Sequence, residues 1–205
     1  MEQKILDEVN SLRSIHGTRP LALRDDLSTE AQDWTHFRAS IDSEEKPDTP
    51  YGYIDWIDYQ LNGTFEMPHP LEPLTWWTTV VSDYRFYGHE PVGRKAYYEQ
   101  MAQLLWKSTK FVGFGCSYTK LDDNMTVIHV VGYFDEKGNR ECEYKCNVMP
   151  SMLNPLFKSL NSTDCRPQIG CLPKEQQQNA DTEPAEPTES AEQFDDIVTK
   201  SQDMN

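Results

Sequence analysis

Gln100-Met101-Ala102-Gln103-Leu104-Leu105-Trp106-Lys107-Ser108-Thr109-Lys110-Phe111-Val112-Gly113-Phe114-Gly115-Cys116 leads, after a short interval, to Val130-Val131-Gly132-Tyr133-Phe134-Asp135-Glu136-Lys137-Gly138-Asn139. Tyr97, Met101, Leu104 and Leu105 recur at the 3.6-residue period of an amphipathic helix. Gly113-Phe114-Gly115 reads as a turn beyond that helix. Thr126 to Phe134 is rich in β-branched and aromatic residues and stops at Gly138-Asn139, the pattern of a buried strand closed by a turn. A helix packed against a buried sheet follows from this alternation of periods, so the chain belongs to the α+β class.

Working outward, the chain has 205 residues, room for one domain of usual size with an appendage. Nearly all Trp, Tyr and Phe residues fall before residue 150, enough apolar mass for a sizeable core. Of the net charge of −15, about −7 sits in Leu172–Asn205, where nine acidic residues face two lysines. That segment also holds Pro184, Pro187 and a single aromatic, Phe194. It cannot bury enough apolar surface to offset ordering entropy, so it is expected to be a disordered acidic tail. The alternative is a docking tail anchored by Phe194-Asp195-Asp196-Ile197-Val198. The acidic balance argues against nucleic acid and anionic lipid as partners, since both need a basic surface. No run approaches the roughly 20 apolar residues of a membrane span. Met1-Glu2-Gln3-Lys4 runs straight into Ile5, Leu6, Val9 and Leu12, the buried face of a first helix rather than a signal peptide.

The quoted stretch resembles the signatures of the CAP superfamily (cysteine-rich secretory proteins, antigen 5 and pathogenesis-related class 1 proteins). The family's His-Phe-Thr-Gln-x-x-Trp-Lys-x-Thr stands as Gln100-Met101-Ala102-Gln103-Leu104-Leu105-Trp106-Lys107-Ser108-Thr109. Its Tyr-x-Pro-x-Gly-Asn stands as Phe134-Asp135-Glu136-Lys137-Gly138-Asn139. Asn10 to Gly17 with Pro20-Leu21 is similar to the family's first helix and following loop, and Leu27 to Trp34 to its second helix. Trp77, Tyr84 and Phe86 match its Trp-Tyr-x-Glu-x-x-x-Tyr-x-Phe stretch, and Asn147-Val148-x-Pro150 its close. The resemblance covers roughly Met1 to Pro150. It implies a three-layer α-β-α sandwich with a central, mainly antiparallel sheet. Expected helices lie near 2–15, 27–41, 73–84 and 94–106. Expected strands lie near 112–119 and 126–134, with shorter ones in the 50s and around 140–147, and the layers pack around Trp106 and Tyr133. The domain is placed at 1–156, a cysteine-containing extension at 157–171 and the acidic tail at 172–205.

Many members of that family hold two His and two acidic residues in a central cleft able to bind a divalent metal. Carried over residue by residue, the helix His falls on Gln100, one Glu on Val80 and the other on Tyr53. The second His falls at Lys46 or its neighbours, where no His stands. Gln, Val and Tyr do not replace imidazole and carboxylate, and Val has no donor atom. The cleft is expected to be degenerate, with neither metal nor cofactor.

Other constellations are weak. No Gly-x-Ser-x-Gly elbow occurs. Asp122-Asp123 reads as solvated charge in a turn. Gly113-Phe114-Gly115 lacks the helix that a phosphate-cradling loop requires. Cys116 and His129 would make a nucleophile pair only if their strands brought them together, and a buried Cys with a satisfied His is the plainer reading. Cys116, Cys142, Cys146, Cys165 and Cys171 are odd in number. Without a signal peptide reduced thiols are expected, whereas a secreted chain would pair Cys142 with Cys146 or with Cys165 or Cys171. Sequons at Asn62, Asn124 and Asn161 lean toward the secreted alternative. Glu2 excludes N-myristoylation, which the Golgi-associated members of the family carry.

The function implied is that of a non-enzymatic binding module. Tyr51 to Tyr59 and Trp76-Trp77 are unusually aromatic. They read first as core, and by family precedent as an apolar site for a sterol or fatty acid. Tyr53, Trp56, Trp77 and Gln100 are the candidate ligand-binding residues. A protein partner is the other expectation, with a homodimer kept open and no integral membrane contact. The alternative is a protease-like hydrolase acting through a non-standard cleft. The compartment expected is the cytoplasm, with the extracellular space as alternative.

Overall fold

Ile5, Leu6 and Val9 lie on one buried face of α1 (Glu2–Ile15), as their spacing requires. The computed structural model describes residues 1–41, 45–61, 66, 68–84, 95–155 and 158. The chain divides into two units, Met1–Pro167 and Gln168–Asn205, and every described residue belongs to the first. The expected tail and nearly all of the 157–171 extension lie outside the described residues. After α1 come β1 (Ala22–Leu23), α2 (Asp25–Ile41), β2 (Gly52–Leu61), α3 (Leu71–Thr78), α4 (Lys95–Leu105), β3 (Phe111–Lys120), β4 (Met125–Asp135) and α5 (Tyr144–Asn147). Asp25 and Asp26 stand in the first turn of α2, where negative charge favours the helix dipole.

The sheet has the order β1-β3-β4-β2, with β1 parallel to β3 and the other pairs antiparallel. Because side chains alternate across a strand, Val112 and Phe114 of β3 and Ile128, Val130 and Phe134 of β4 point to one face. There they pack with Ile5, Leu6 and Val9 of α1, Ile54 and Trp56 of β2, and Leu74 and Trp77 of α3. Val131 and Tyr133 point the other way, against Leu27 and Ala31 of α2. The result is the expected α-β-α sandwich. Trp106 closes a further cluster with Met101, Leu105 and Tyr144, meeting the Tyr144 ring edge-on at 5.2 Å.

Several elements differ from expectation, each for a physical reason. Gly113 and Gly115 lie inside β3, in keeping with the strand expected near 112–119 and against the turn that Gly-x-Gly suggests. A Cβ on Gly113 would stand 2.1 Å from the backbone nitrogen of Ser28, and one on Gly115 would stand 2.4 Å from the carbonyl carbon of Ala31. The two glycines are there so that α2 can lie directly on the strand. Gly52–Leu61 is a full ten-residue strand rather than a short one, with Gly52, Ile54 and Trp56 buried at a period of two. Residues 140–147 form no strand; Tyr144–Asn147 is one helical turn that seats Tyr144 and Val148 against Trp106. The third helix ends at Thr78, short of residue 84.

Two buried polar side chains join the layers. The Arg13 guanidinium, with no exposed surface, donates to the carbonyls of Arg19 (2.8 Å), Leu104 (2.6 Å), Trp106 (3.2 Å) and Thr109 (3.2 Å). It thereby serves Leu104 O at the end of α4, where helix carbonyls run out of main-chain donors, and shares Trp106 O with Thr109 N–H. Burial lowers its pKa to about 10. Gln103, also fully buried, accepts from Gly138 N–H at 2.7 Å and donates to Thr109 Oγ1 at 3.1 Å. Thr109 in turn donates to Glu136 O at 2.7 Å, so α4 is tied to the turn after β4. This is the structural content of the Gln-x-x-Trp-Lys-x-Thr and Gly-Asn motifs. Asn139 adopts φ 54°, a left-handed conformation that Asn tolerates.

Among the cysteines, Cys142 is disulfide-bonded, where reduced thiols were expected. Cys116 and Cys146 are reduced, so Cys142 is not paired with Cys146.

Gly115→Ala should destabilise the domain by about 1–3 kcal/mol through overpacking, visible as a fall of several degrees in Tm. An unchanged Tm would show that α2 can lift off β3 at no cost. His16 yields a pH prediction. It is buried, its Nδ1–H donates to Met149 O at 2.7 Å, and desolvation holds its pKa below the ordinary 6.5. Between the folded value and 6.5 the unfolded chain binds more protons. Stability should therefore be full above that value and fall as pH drops below it, and His16→Gln should flatten the slope of the urea midpoint between about pH 7 and 5.

Candidate functional site

Strand β2 is an edge of the sheet, and its residue Asp55 reaches both helical layers. From α2, the fully buried Arg38 sets Nη1 2.9 Å from Asp55 Oδ2 and 2.8 Å from the Tyr53 hydroxyl. From α4, Gln100 Nε2 donates to Asp55 Oδ1 at 3.2 Å. From α3, Trp77 Nε1 donates to the Asp55 carbonyl at 2.8 Å. Above this arrangement opens a cavity of about 310 Å³. Tyr51, Tyr53 and Asp55 from β2 and its approach form one wall, Glu99, Gln100 and Gln103 from α4 another. Lys46, Lys137 and Asn139 stand around it. Gly52 is needed at its floor, since a Cβ there would lie 2.0 Å from Gln103 Oε1.

Tyr53 and Gln100 are thus brought together, as the motif carry-over expects. Desolvation raises the Tyr53 phenol well above its ordinary range, with the Asp55 charge adding to the shift. Tyr133, beneath it on β4, is pushed up to about 12 by burial. Neither phenol ionises near neutrality. Gln100 Oε1 is buried and has no hydrogen-bond partner.

The other expected residues go elsewhere. Val80 is 2% exposed and packs in the apolar cluster of Tyr84, Met101 and Trp106; it does not line the cavity. The helix α3 stops at Thr78, and the turn after it carries Val80 into the core. Trp77 is buried core, stacked on Phe114 with ring centroids 6.5 Å apart. Trp56 belongs to a second, open groove of about 310 Å³, with Leu71, Glu72, Thr75, Trp76 and Thr79. There Trp76 and Leu71 are 45% and 41% exposed, and Trp76 meets Tyr97 at 5.6 Å.

Asp55 and Arg38 are the residues that the sequence reading missed. A signal for Arg38 exists. Leu27, Ala31 and Thr35 trace the buried face of α2, and Arg38 continues it by one turn. An arginine in that position requires a buried acceptor.

Cys116 and His129 do not form a pair. Cys116 stands opposite Val130 and packs with the α1 and α3 face, whereas His129 stands opposite Ser117, whose hydroxyl donates to Thr35 O of α2. Strand alternation puts the two side chains on opposite faces of the sheet. Burial also raises the Cys116 thiol pKa, the wrong direction for a nucleophile.

The residues do not fit the divalent metal that the fold family implies. The donor set at the cavity is an amide, a phenol held protonated, and a carboxylate already bonded to a guanidinium. Among the described residues no group of three or more His, Cys, Asp or Glu is arranged to hold a metal ion. No helix among the described residues is long and apolar enough to cross a membrane.

A three-layer sandwich with a cleft between an edge strand and a helix bearing the Gln-x-x-Trp-Lys-x-Thr motif defines the CAP class. The sequence model of the Cysteine-rich secretory protein family (CAP) matches residues 6–134, and the chain belongs to that family. BmVAL-1 has a solved structure with TM-score 0.52 at 17% identity, covering 74% of this chain and 82% of that one. The likeness extends to the fold. MpPR-1i aligns with TM-score 0.47 at 17% identity over 68% of this chain and 89% of its own. Venom allergen-like protein 4 of Schistosoma mansoni aligns with TM-score 0.41 at 19% identity over 76% and 92%. No curated protein matches the chain at a significant level.

Excess zinc should leave the Tm of the reduced and of the oxidised protein nearly unchanged. A native-state ligand at 100 times its Kd would add about 2.7 kcal/mol, a rise of several degrees. Such a rise, persisting in Cys142→Ser/Cys146→Ser, would place a metal in the cleft after all.

Proposed function

We propose that this CAP domain is a non-enzymatic binding module whose ligand is apolar, a sterol or a fatty acid. The groove of Trp56, Leu71 and Trp76 carries the reading. Trp76 is 45% exposed and Leu71 41%; both belong to α3 and line the same groove, together with the buried Trp56. An exposed indole and isobutyl group gain about 25 cal/mol for each Å² of apolar surface that a ligand covers. Among the described residues lining that groove, Glu72 is the one that carries a charge. An apolar segment of a protein partner would use the same surface, and a second copy of the chain is one such partner.

The hydrolase alternative finds less support. A general base needs an accessible proton-accepting group near a nucleophile. Asp55 is engaged by Arg38 and Gln100, and Tyr53 stays protonated. The disulfide of Cys142 supports the extracellular alternative over the cytoplasm as the working compartment. The exposed turn position of Asn124 is compatible with a sequon used there.

Titration with cholesterol and with palmitate, followed by native mass spectrometry, tests the reading. One of the two should bind at one equivalent, and Trp76→Ala should weaken it at least tenfold, about 1.4 kcal/mol. Binding of neither, or equal binding by the variant, would sink the proposal.

A further inference from the structure

The groove at α3 carries a charge as well as an apolar surface, and the two together set the sign of its ligand. Leu71, Glu72, Thr75, Trp76 and Thr79 follow one another at helical spacing along α3 and the residue after it, and Trp56 of β2 completes the lining. Trp76 packs on Tyr97 with ring centroids 5.6 Å apart, yet nearly half of its surface stays accessible. The face of an indole ring is electron-rich and, of the aromatic side chains, attracts a cation most strongly.

Two carboxylates reinforce that attraction. Glu72 lies in the lining itself, where Oε1 accepts from His69 N–H at 3.1 Å and is held at the start of α3. Asp58 lies on the same face of β2 as Trp56, two residues on, or roughly 7 Å at about 3.3 Å per residue. That is inside the Debye length of about 8 Å at 0.15 M salt. Neither carboxylate forms an ion pair among the described residues. The net charge of −15 adds attraction for cations at longer range.

Other guests fit less well. An anionic head would meet Glu72, and the threonine protons are already committed. Thr75 Oγ1 donates to Leu71 O and Thr79 Oγ1 to Trp76 O, each at 2.7 Å. A wholly apolar guest covers the rings and gains nothing from Glu72. A metal ion or a primary ammonium is strongly hydrated and gives up water to lie against indole. In a quaternary ammonium the charge is spread over methyl groups, so one group packs on the ring and answers the carboxylate together.

We propose that the Trp56–Trp76 groove takes a quaternary alkylammonium group, on a free small cation of the choline class, with Trp76 against its methyl groups and Glu72 as the counter-charge. The inference rests on the reading of this groove as a site for an apolar ligand and adds the sign of that ligand's charge.

Saturation-transfer difference NMR on the full chain tests it, with choline at millimolar concentration against 3,3-dimethylbutan-1-ol, which has the same shape without the charge. Choline should receive at least fivefold more saturation at its methyl protons than the alcohol at its own. Glu72→Gln, which keeps an acceptor for His69 N–H, should reduce the choline signal at least threefold and leave that of the alcohol unchanged. Trp76→Leu, which keeps apolar bulk and removes the ring, should do likewise and serves alone should Glu72→Gln not fold, as judged by its thermal transition. Equal signals from the two probes, or a choline signal that survives both variants, overturn the proposal and leave the apolar reading standing. So does the absence of any choline signal where cholesterol or palmitate binds. Phosphocholine giving a stronger signal than choline would overturn the assignment to a free cation. A charge-dependent choline signal with neither cholesterol nor palmitate bound would instead defeat the sterol and fatty-acid reading alone.

Discussion

A guanidinium that meets no carboxylate among the described residues holds the first helix to the end of α4. Arg13 gives its donors to four carbonyls, of Arg19, Leu104, Trp106 and Thr109. Buried charge is tolerated here because the acceptors are fixed main-chain dipoles, three of them at or just after the C-terminal end of α4, where positive charge is favoured. The chain segment that leaves α4 is thereby fixed, and with it Thr109, Gln103 and the turn at Gly138. That turn and α4 form one side of the polar cavity. An uncharged residue at position 13 would leave several carbonyls without partners at once, and the cleft geometry would fail with the helix end.

The edge strand is the second point on which the site depends. Asp55 joins α2 through Arg38 and α4 through Gln100, and its main-chain carbonyl joins α3 through Trp77. A charged residue at a sheet edge also discourages pairing with another strand. Its carboxylate is spent on the scaffold, so the position that would serve catalysis in another setting here aligns an amide. This separates two surfaces of opposite character only a few residues apart on β2. Tyr53 and Asp55 look toward the polar cavity, and Trp56 backs the apolar groove.

Much of this was legible in the order of residues, and the exceptions have physical causes. The helix through Met101, Leu104 and Leu105 and the strand through Val127 to Phe134 have clean periods and follow expectation. Strand β2 is half concealed because two of its other-face positions, Tyr53 and Ile57, are as large or as apolar as Ile54 and Trp56, so the alternation is blurred. The Gly-x-Gly of β3 resembles a turn because glycine's effect there is to admit a neighbouring backbone, a contact between residues more than 80 apart that no local pattern shows. Residues 140–147 are too few for any period to speak. In the cleft, Gln100 and Tyr53 were found by motif position. Val80 was misplaced because α3 ends at Thr78 and the turn after it buries the side chain. Asp55 was overlooked because its partner Arg38 lies 17 residues away on the opposite layer.

The hairpin between β3 and β4 ends at Asp122, Asp123 and Asn124, all exposed, with Asp122 Oδ1 accepting from Asn124 N–H at 2.7 Å. The cavity sits beside Phe134 and Gly52, at the other end of the same ladder. Ten residues at about 3.3 Å each place the two roughly 30 Å apart. A tether, fluorophore or affinity tag attached at this tip would therefore present the cavity mouth away from a solid support. The fold supplies its own handle for orienting the molecule on a surface.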